Sequence, residues 1–310
     1  MILTTAIVIT IISYFHQNQL PIYDINLAVK FILNKQNSND FDKISKALGY
    51  EPSDKLLIIH ADDVGLCESV NSATFESFRN GSISSAAVML TTREIDEVAN
   101  FSINNPNFDM GIHLTVTSEW KYHKWGGVLK NTDINSILNS KNHFYWNKRK
   151  FTKNGKLDEI NKELQAQIDL GISMGFNPSH IDSHEGALFF DPNIFRLYLD
   201  LAKENNLLAF VPIQASVHFD KNFEKPKHAI IIDQFHMLAE ETEIKEIKKY
   251  YFDVIEKLKP GLSQIIVHLG KDEEELRKIT VDHPNFDYRW RQLDFDIFNS
   301  DEFKNHLKEN

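Results

Sequence analysis

The 310-residue sequence predicts an α/β protein: a (β/α) barrel of about seven strands, irregular in its connections. Three observations point there. From residue 55 onward, short apolar runs alternate with longer stretches of helical periodicity, the pattern of βα units. About seven such runs occur, each followed by a helix or a long loop, which suits a closed or nearly closed barrel. The same spacing also suits a doubly wound open sheet. Finally, residues able to do chemistry collect at the carboxyl ends of the runs, where α/β folds place their sites.

Leu56 to Ala61 is a compact apolar run and reads as a buried strand. Ser69 to Asn80 has helical spacing through Val70, Ala73, Phe75 and Phe78, with Gly81 as a stop. Ala86 to Leu90 reads as a second strand, Glu94 to Ile103 as a second helix ending before Pro106, and Met110 to Val116 as a third strand. Residues 118–157 set Trp120, Trp125 and Trp146 among Lys, Asn and Gly, which predicts irregular structure. Leu157 to Met174 is a helix, and His180 to His184 a strand end. Pro192 to Glu204 is helical; Leu208 to Ile213 and Ala229 to Ile232 read as strands. Thr242 to Leu258 is a long amphipathic helix closed by Pro260 and Gly261. Ser263 to Leu269 is the last clear strand, and residues 300–308 make a terminal helix.

Composition sets the outer bounds. Hydrophobic residues at 42% and charged residues at 25% suit a soluble globular chain. A balance of 34 basic to 44 acidic residues, net −10, disfavours nucleic acid and suits a neutral or cationic ligand. A single cysteine, Cys67, excludes an intrachain disulfide and a multi-cysteine metal cluster. Met1 to Phe15 carries no charged side chain; it is too short for a bilayer span and about right for a signal-peptide core. It has neither a preceding Lys or Arg nor an Ala-x-Ala site, so a buried first element is the other reading. The expected division is a signal peptide or anchor over 1–22, a linker or helix over 23–44, and one barrel domain over 45–310. Export to the periplasm or cell envelope follows if the leader is a signal, and a cytoplasmic location if it is not.

Four strand ends carry two carboxylates or a histidine each. The first runs into Ala61-Asp62-Asp63-Val64-Gly65, and the third holds Gly111-Ile112-His113-Leu114-Thr115. The strand near 180 is His180-Ile181-Asp182-Ser183-His184, and the last is Ile265-Ile266-Val267-His268-Leu269-Gly270. Singly, each has a bland reading: Asp-Asp after a strand is often a helix N-cap, and a lone strand histidine is commonly a hydrogen-bonded core residue. His-x-Asp-x-His says more, since a period of two sets 180, 182 and 184 on one face. A second carboxylate or histidine there can orient a ligand imidazole. Their conjunction at one barrel end outweighs the parts. A carboxylate with two histidines leaves open positions on a divalent cation, as hydrolytic metal sites require. An adjacent carboxylate can then serve as general base. Ligand type alone leaves magnesium, zinc, manganese and iron level. No phosphate-cradling glycine loop, Gly-x-Ser-x-Gly elbow or partnered cysteine supports another chemistry.

The segments LLIIHADDVGLCESVNSATFESFRNGSISSAAVML, GIHLT, PSHIDSHEG and IIVHLG, in that order over roughly residues 50–300, resemble the YdjC-like carbohydrate deacetylase family, which includes chitooligosaccharide deacetylases. Tyr288-Arg289-Trp290-Arg291-Gln292-Leu293 is similar to that family's C-terminal arginine-containing stretch, and Gly49-Tyr50 with the apolar leader resembles its exported members. The resemblance implies a barrel of the glycoside hydrolase/deacetylase type and metal-dependent removal of an N-acetyl group from an amino sugar or oligosaccharide. Carried over by motif, Asp63, His113 and His184 hold the metal, with Asp62 as general base and His268 as general acid. Magnesium is the metal the resemblance favours, with zinc or manganese as alternatives. Asp182, His180, Arg291 and Trp290 would support the site or touch substrate, and Trp120, Trp125 and Trp290 are candidates to stack on sugar rings. Among the other histidines, His60 stands out because it shares a strand face with Asp62. Two departures concern the substrate subsites: Glu185-Gly186 replaces further histidines, and Leu269 stands where proline is common. The expected partner is an N-acetylated amino sugar, with at most an N-terminal membrane tether and the oligomeric state open. The rival readings are a phosphoesterase on a similar barrel, a non-catalytic carbohydrate-binding protein and, more weakly, a glycosidase.

Overall fold

The computed structural model describes residues 45–46, 48–219, 225–239, 242–283 and 286–310. The expected signal or anchor over 1–22 and the linker over 23–44 lie outside the described residues. Among the described residues, eight strands form one parallel sheet. They are β1 Lys55–Val64, β2 Ser85–Val88, β3 Asp109–Leu114, β4 His180–Ser183, β5 Leu208–Pro212, β6 Ala229–Ile232, β7 Gln234–His236 and β8 Gly261–Val267. Their order is β6-β5-β4-β3-β2-β1-β8-β7.

The two edge strands are consecutive in the chain, separated only by Asp233. The first half of this stave pairs with β5, through Ala209↔Ala229 to Pro212↔Ile232. The second half pairs with β8, through Gln234↔Ser263 to His236↔Ile265. Asp233 makes the join: its backbone N–H donates to the Leu262 carbonyl (2.9 Å) and its Oδ2 accepts from the Leu262 N–H (2.9 Å). The sheet thereby curls into a nearly closed barrel, and the open doubly wound alternative falls. The strand count rises from about seven to eight because one stave is kinked into two, and the short polar Gln234–His236 piece carries no apolar signal of its own.

Helices cover the outside. They are α1 Glu68–Arg79, α2 Ile95–Asn104, α3 Lys148–Asn154, α4 Leu157–Ser173, α5 Pro192–Glu204, α6 Ile244–Lys257, α7 Glu274–Ile279, α8 Tyr288–Asn299 and α9 Asp301–Glu309. Their starts follow local chemistry. Asp191 accepts from the N–H groups of Asn193 and Ile194 ahead of Pro192 in the first turn of α5, and Asp287 caps Arg289 and Trp290 in α8. Their apolar stripes dock through aromatic contacts, such as Phe75 of α1 stacked on Phe101 of α2 at 3.9 Å. Spacing did not predict α3, α7 or α8, each short or broken by polar residues.

The connection from β3 to α4 is irregular, as expected, apart from α3 and one 3₁₀ turn, Asn135–Ile137. Buried Glu163 of α4 accepts the N–H groups of Val128 (2.8 Å) and Leu129 (3.1 Å). Gln167 one turn later brackets the Thr115 backbone from both sides. The irregular connection is thus pinned to α4 by the satisfaction of its own backbone groups.

Candidate metal centre

Register brings the first polar pairs together. On neighbouring strands, His113 lies opposite Asp182 and His60 opposite Ser85. The side chains follow: His113 Nδ1 is 2.7 Å from Asp182 Oδ1, and His60 Nδ1 is 2.9 Å from Ser85 Oγ. His60 also reaches across the barrel interior from β1 to β4, with Nε2 at 3.0 Å from Asp182 Oδ2.

The strand β1 is irregular where it matters. Its pairing with β2 shifts register between Ala61 and Val64, and Asp63 sits at φ +63°. A bulge of this kind re-aims side chains, and the left-handed conformation at a non-glycine residue marks stored strain. Consecutive aspartates therefore point to different partners. Asp62 Oδ1 lies 3.4 Å from His60 Nε2. Asp63 Oδ2 accepts from Arg291 Nη2 at 2.7 Å, while its Oδ1 faces His113 Nε2 (3.6 Å) and His184 Nδ1 (3.3 Å).

Asp63, His113 and His184 are all buried, and each offers one ligand atom, all within 4.8 Å of one another. The donor set fits a divalent cation on two grounds. Asp63 Oδ1 is buried without an aligned hydrogen bond among the described residues. Each imidazole also has its far nitrogen held by a carboxylate: Asp182 on His113 Nδ1, and Glu119 on His184 Nε2 at 3.0 Å. Carboxylate backing of this kind fixes the ring and the tautomer of a metal-bound histidine. Glu119 escaped the sequence reading because it lies in the aperiodic segment after β3; its place only a few residues beyond His113 was the sole hint.

The charges follow the contacts. Burial alone would lift Asp63, but the Arg291 guanidinium and His184 hold its carboxyl well below the ordinary range. Burial dominates at Asp62 and pushes it up to about 6. His113 is raised to about 9: burial opposes this, and Asp182 and Asp62 override it. His184 also rises well above its ordinary value against the effect of burial, chiefly through Glu119 and Asp63. Asp182 is lowered by His113 and His60, again against burial.

His268 stands just past the end of β8, half-buried, with its ring 4.7 Å from Phe286. Its backbone N–H donates to Asp294 Oδ2 (3.0 Å), and Tyr251 donates to the other oxygen of Asp294 (2.9 Å). Burial holds the His268 imidazole down to about 3, so it is neutral at rest. Arg291 is 1% exposed and is steadied by the Phe286 carbonyl (2.9 Å) and by the face of Trp120 (5.2 Å).

Two expected site residues stand behind the site rather than facing it. His180 sits deeper in the barrel, stacked on Phe210 at 4.2 Å, with Nδ1 on Ser179. It approaches the Gly111 backbone so closely that a Cβ there would lie 2.3 Å from its Nε2. Trp290 is 2% exposed and packs against Phe286, so it offers no face to a sugar ring. Trp120 and Trp125 are buried as well. The stacking expectation therefore fails for all three, since rings that wide complete the wall behind the site. Trp146, in contrast, is 57% exposed.

Comparison with known proteins follows the same lines. The sequence model of a family described as "YdjC-like protein" matches residues 56–309. A chitooligosaccharide deacetylase of Yersinia enterocolitica is 34% identical over 158 residues, 50% of this chain and 58% of that protein. One from Yersinia pestis is 30% identical over 181 residues, 58% of this chain and 65% of that protein. The matched region thus spans less than two thirds of either relative. Among solved structures, a candidate cellobiose-phosphate cleavage protein of Enterococcus faecalis V583 superposes with a TM-score of 0.67 at 21% identity, covering 83% of this chain and 95% of the other. That similarity speaks for the shared fold.

Proposed function

This chain belongs to the YdjC-like protein family, and on that footing we propose that it is a metal-dependent hydrolase that removes N-acetyl groups from an amino sugar or oligosaccharide. One observation carries the reading: two imidazoles, each backed by a carboxylate, meet Asp63 beside a second carboxylate, Asp62, whose affinity for a proton is raised. The curated relatives' activity is consistent with it.

Asp63, His113 and His184 would hold the cation. Magnesium is favoured by the family resemblance, and zinc or manganese suits the two imidazoles. A divalent cation there supplies Lewis acidity toward the acetyl carbonyl and a water molecule. Asp62, held near 6, is matched to accept a proton from that water near neutral pH. The water oxygen would bond to the carbonyl carbon as Asp62 takes its proton; that proton would then pass by way of His268, neutral at rest, to the amine nitrogen, so that the C–N bond breaks and acetate and the free amine leave. Arg291 keeps Asp63 ionised and aimed. Residues 45–310 would act as one domain, and the apolar leader would direct export.

The test is acetate release by the full chain from N-acetylglucosamine, its dimer and longer oligomers, with added Mg²⁺, Mn²⁺ or Zn²⁺ and after chelation. Asp63→Ala or His184→Ala should lose metal and turnover together. Asp62→Asn should keep the metal and lose turnover; full turnover in that variant would sink the base assignment.

A further inference from the structure

The reaction above leaves His60 without a role, although it is the imidazole nearest the proton-accepting carboxylate. We infer that His60 is a positioning residue for Asp62: one N–H, on its Nε2, donates to Asp182 and faces Asp62, and so ties the proton acceptor to the carboxylate that orients His113.

The geometry leaves little choice. His60 Nε2 faces two carboxylate oxygens, Asp182 Oδ2 at 3.0 Å and Asp62 Oδ1 at 3.4 Å. Ionised carboxylates only accept hydrogen bonds, so a bare lone pair on that nitrogen would confront two anions. The proton therefore sits on Nε2. In the neutral ring, Nδ1 must then accept, and the Ser85 hydroxyl at 2.9 Å is placed to donate.

The ring has no freedom to turn away. It is wholly buried, with His180 edge-on at 5.3 Å and Phe210 at 5.9 Å, and His180 is itself locked by its stack on Phe210. Asp62 Oδ1 is buried and its 3.4 Å approach to His60 Nε2 is not aligned as a hydrogen bond, so the N–H donates to Asp182 and holds Asp62 by its positive end in an interior with no aligned donor to that oxygen among the described residues. With Oδ1 drawn toward His60, Oδ2 is left on the side of His113 Nε2, 3.8 Å away. A filler residue would have been cheaper as leucine, since a buried polar ring costs stability unless both nitrogens are paired.

The inference rests on the hydrolase reading for what Asp62 does, but the tautomer it requires does not. The first measurement is therefore long-range ¹⁵N–¹H NMR on the full-length metal-free protein. A His60 signal with the proton on Nε2 is expected; a neutral ring protonated only at Nδ1 overturns the inference, whatever the variants do. The second is steady-state acetate release together with titration of Mg²⁺ or Zn²⁺ by calorimetry. His60→Gln sets an amide donor near the Nε2 position, His60→Asn keeps only the Ser85 side, and His60→Leu keeps neither.

In His60→Asn and His60→Leu, kcat should fall about 10–100-fold, as misplacement of a reacting group does. KM and metal affinity should stay within about threefold, since substrate and cation contacts are untouched. His60→Gln should recover to within about tenfold of wild type. A purely structural histidine predicts instead that the three variants fall together with their melting temperatures. Unchanged turnover in His60→Leu overturns the inference, as does metal affinity that falls in step with kcat. Two cations bound per chain would also overturn it, because a cation would then stand where the N–H is inferred. A wild type that releases no acetate counts against the deacetylase reading and leaves the tautomer result standing.

Discussion

Replacing Asp182 by Asn should weaken divalent-cation binding by about 10–100-fold while leaving the barrel folded. Asp182 is not one of the three residues proposed to hold the cation; it holds His113 Nδ1 at 2.7 Å and His60 Nε2 at 3.0 Å, so that His113 presents Nε2 toward Asp63. Asparagine is nearly isosteric and can serve both rings. Its oxygen accepts from His113, and its amide can pair with His60 only if that ring moves its proton to Nδ1 and gives it to Ser85, which also takes the N–H away from Asp62, so turnover should fall along with metal affinity. What disappears is the negative charge that raises the basicity of His113. The affinity loss corresponds to about 1.4–2.7 kcal/mol. For folding, two charge-assisted bonds become neutral ones, a loss of about 1–2 kcal/mol, or some 2–8 °C in Tm for a domain of this size. Asp182→Ala strands both imidazoles and should cost clearly more. The assays are cation titration by calorimetry and thermal unfolding, both on metal-stripped protein. Wild-type metal affinity in Asp182→Asn would refute the idea that this carboxylate works through His113.

Three further outcomes follow from the same contacts. Metal binding should tighten as pH rises from 6 to 9, because His113, raised to about 9, and His184, also raised, must give up protons that the cation replaces; calorimetry in buffers of different ionisation enthalpy should show proton release, and pH-independent affinity would contradict the shifts. Asp294 is pushed from 3.8 to about 7 by burial, so the fold favours its neutral form: the associated stability is whole below pH 4 and falls as pH climbs to 7, by at most about 4 kcal/mol. Asp294→Asn should flatten that part of the Tm–pH curve, and parallel curves would argue against it. Gly111→Ala should destabilise by about 1–3 kcal/mol through overpacking against His180, and His180→Ala in the same chain should relieve part of it; additive losses would show that the two do not touch.

Much of the site was legible because strand periodicity is short-ranged. Once LLIIH, GIHLT and HIDSH are read as strands, a period of two and parallel pairing place Asp62, Asp63, His113, Asp182 and His184 at the same end of a barrel. The helices with unbroken apolar stripes, over Glu68–Arg79, Leu157–Ser173 and Ile244–Lys257, were visible for the same reason. Glu119 was not, since nothing periodic surrounds it. Nor was the kinked stave at Asp233, whose second half is three half-buried residues with no apolar run.

The amino-acid order by itself determined the βα alternation and the inventory of carboxylates and imidazoles at the strand ends, because both depend on neighbours a few residues apart. Only the tertiary structure decided which nitrogens of His113 and His184 turn toward Asp63, which aspartate meets Arg291, and that Trp290 is wall rather than platform. Those outcomes depend on contacts such as His60 to Asp182, 122 residues apart, and Arg291 to Asp63, 228 apart. Hydrogen-bond direction and burial are properties of a packed interior, and local pattern does not encode them.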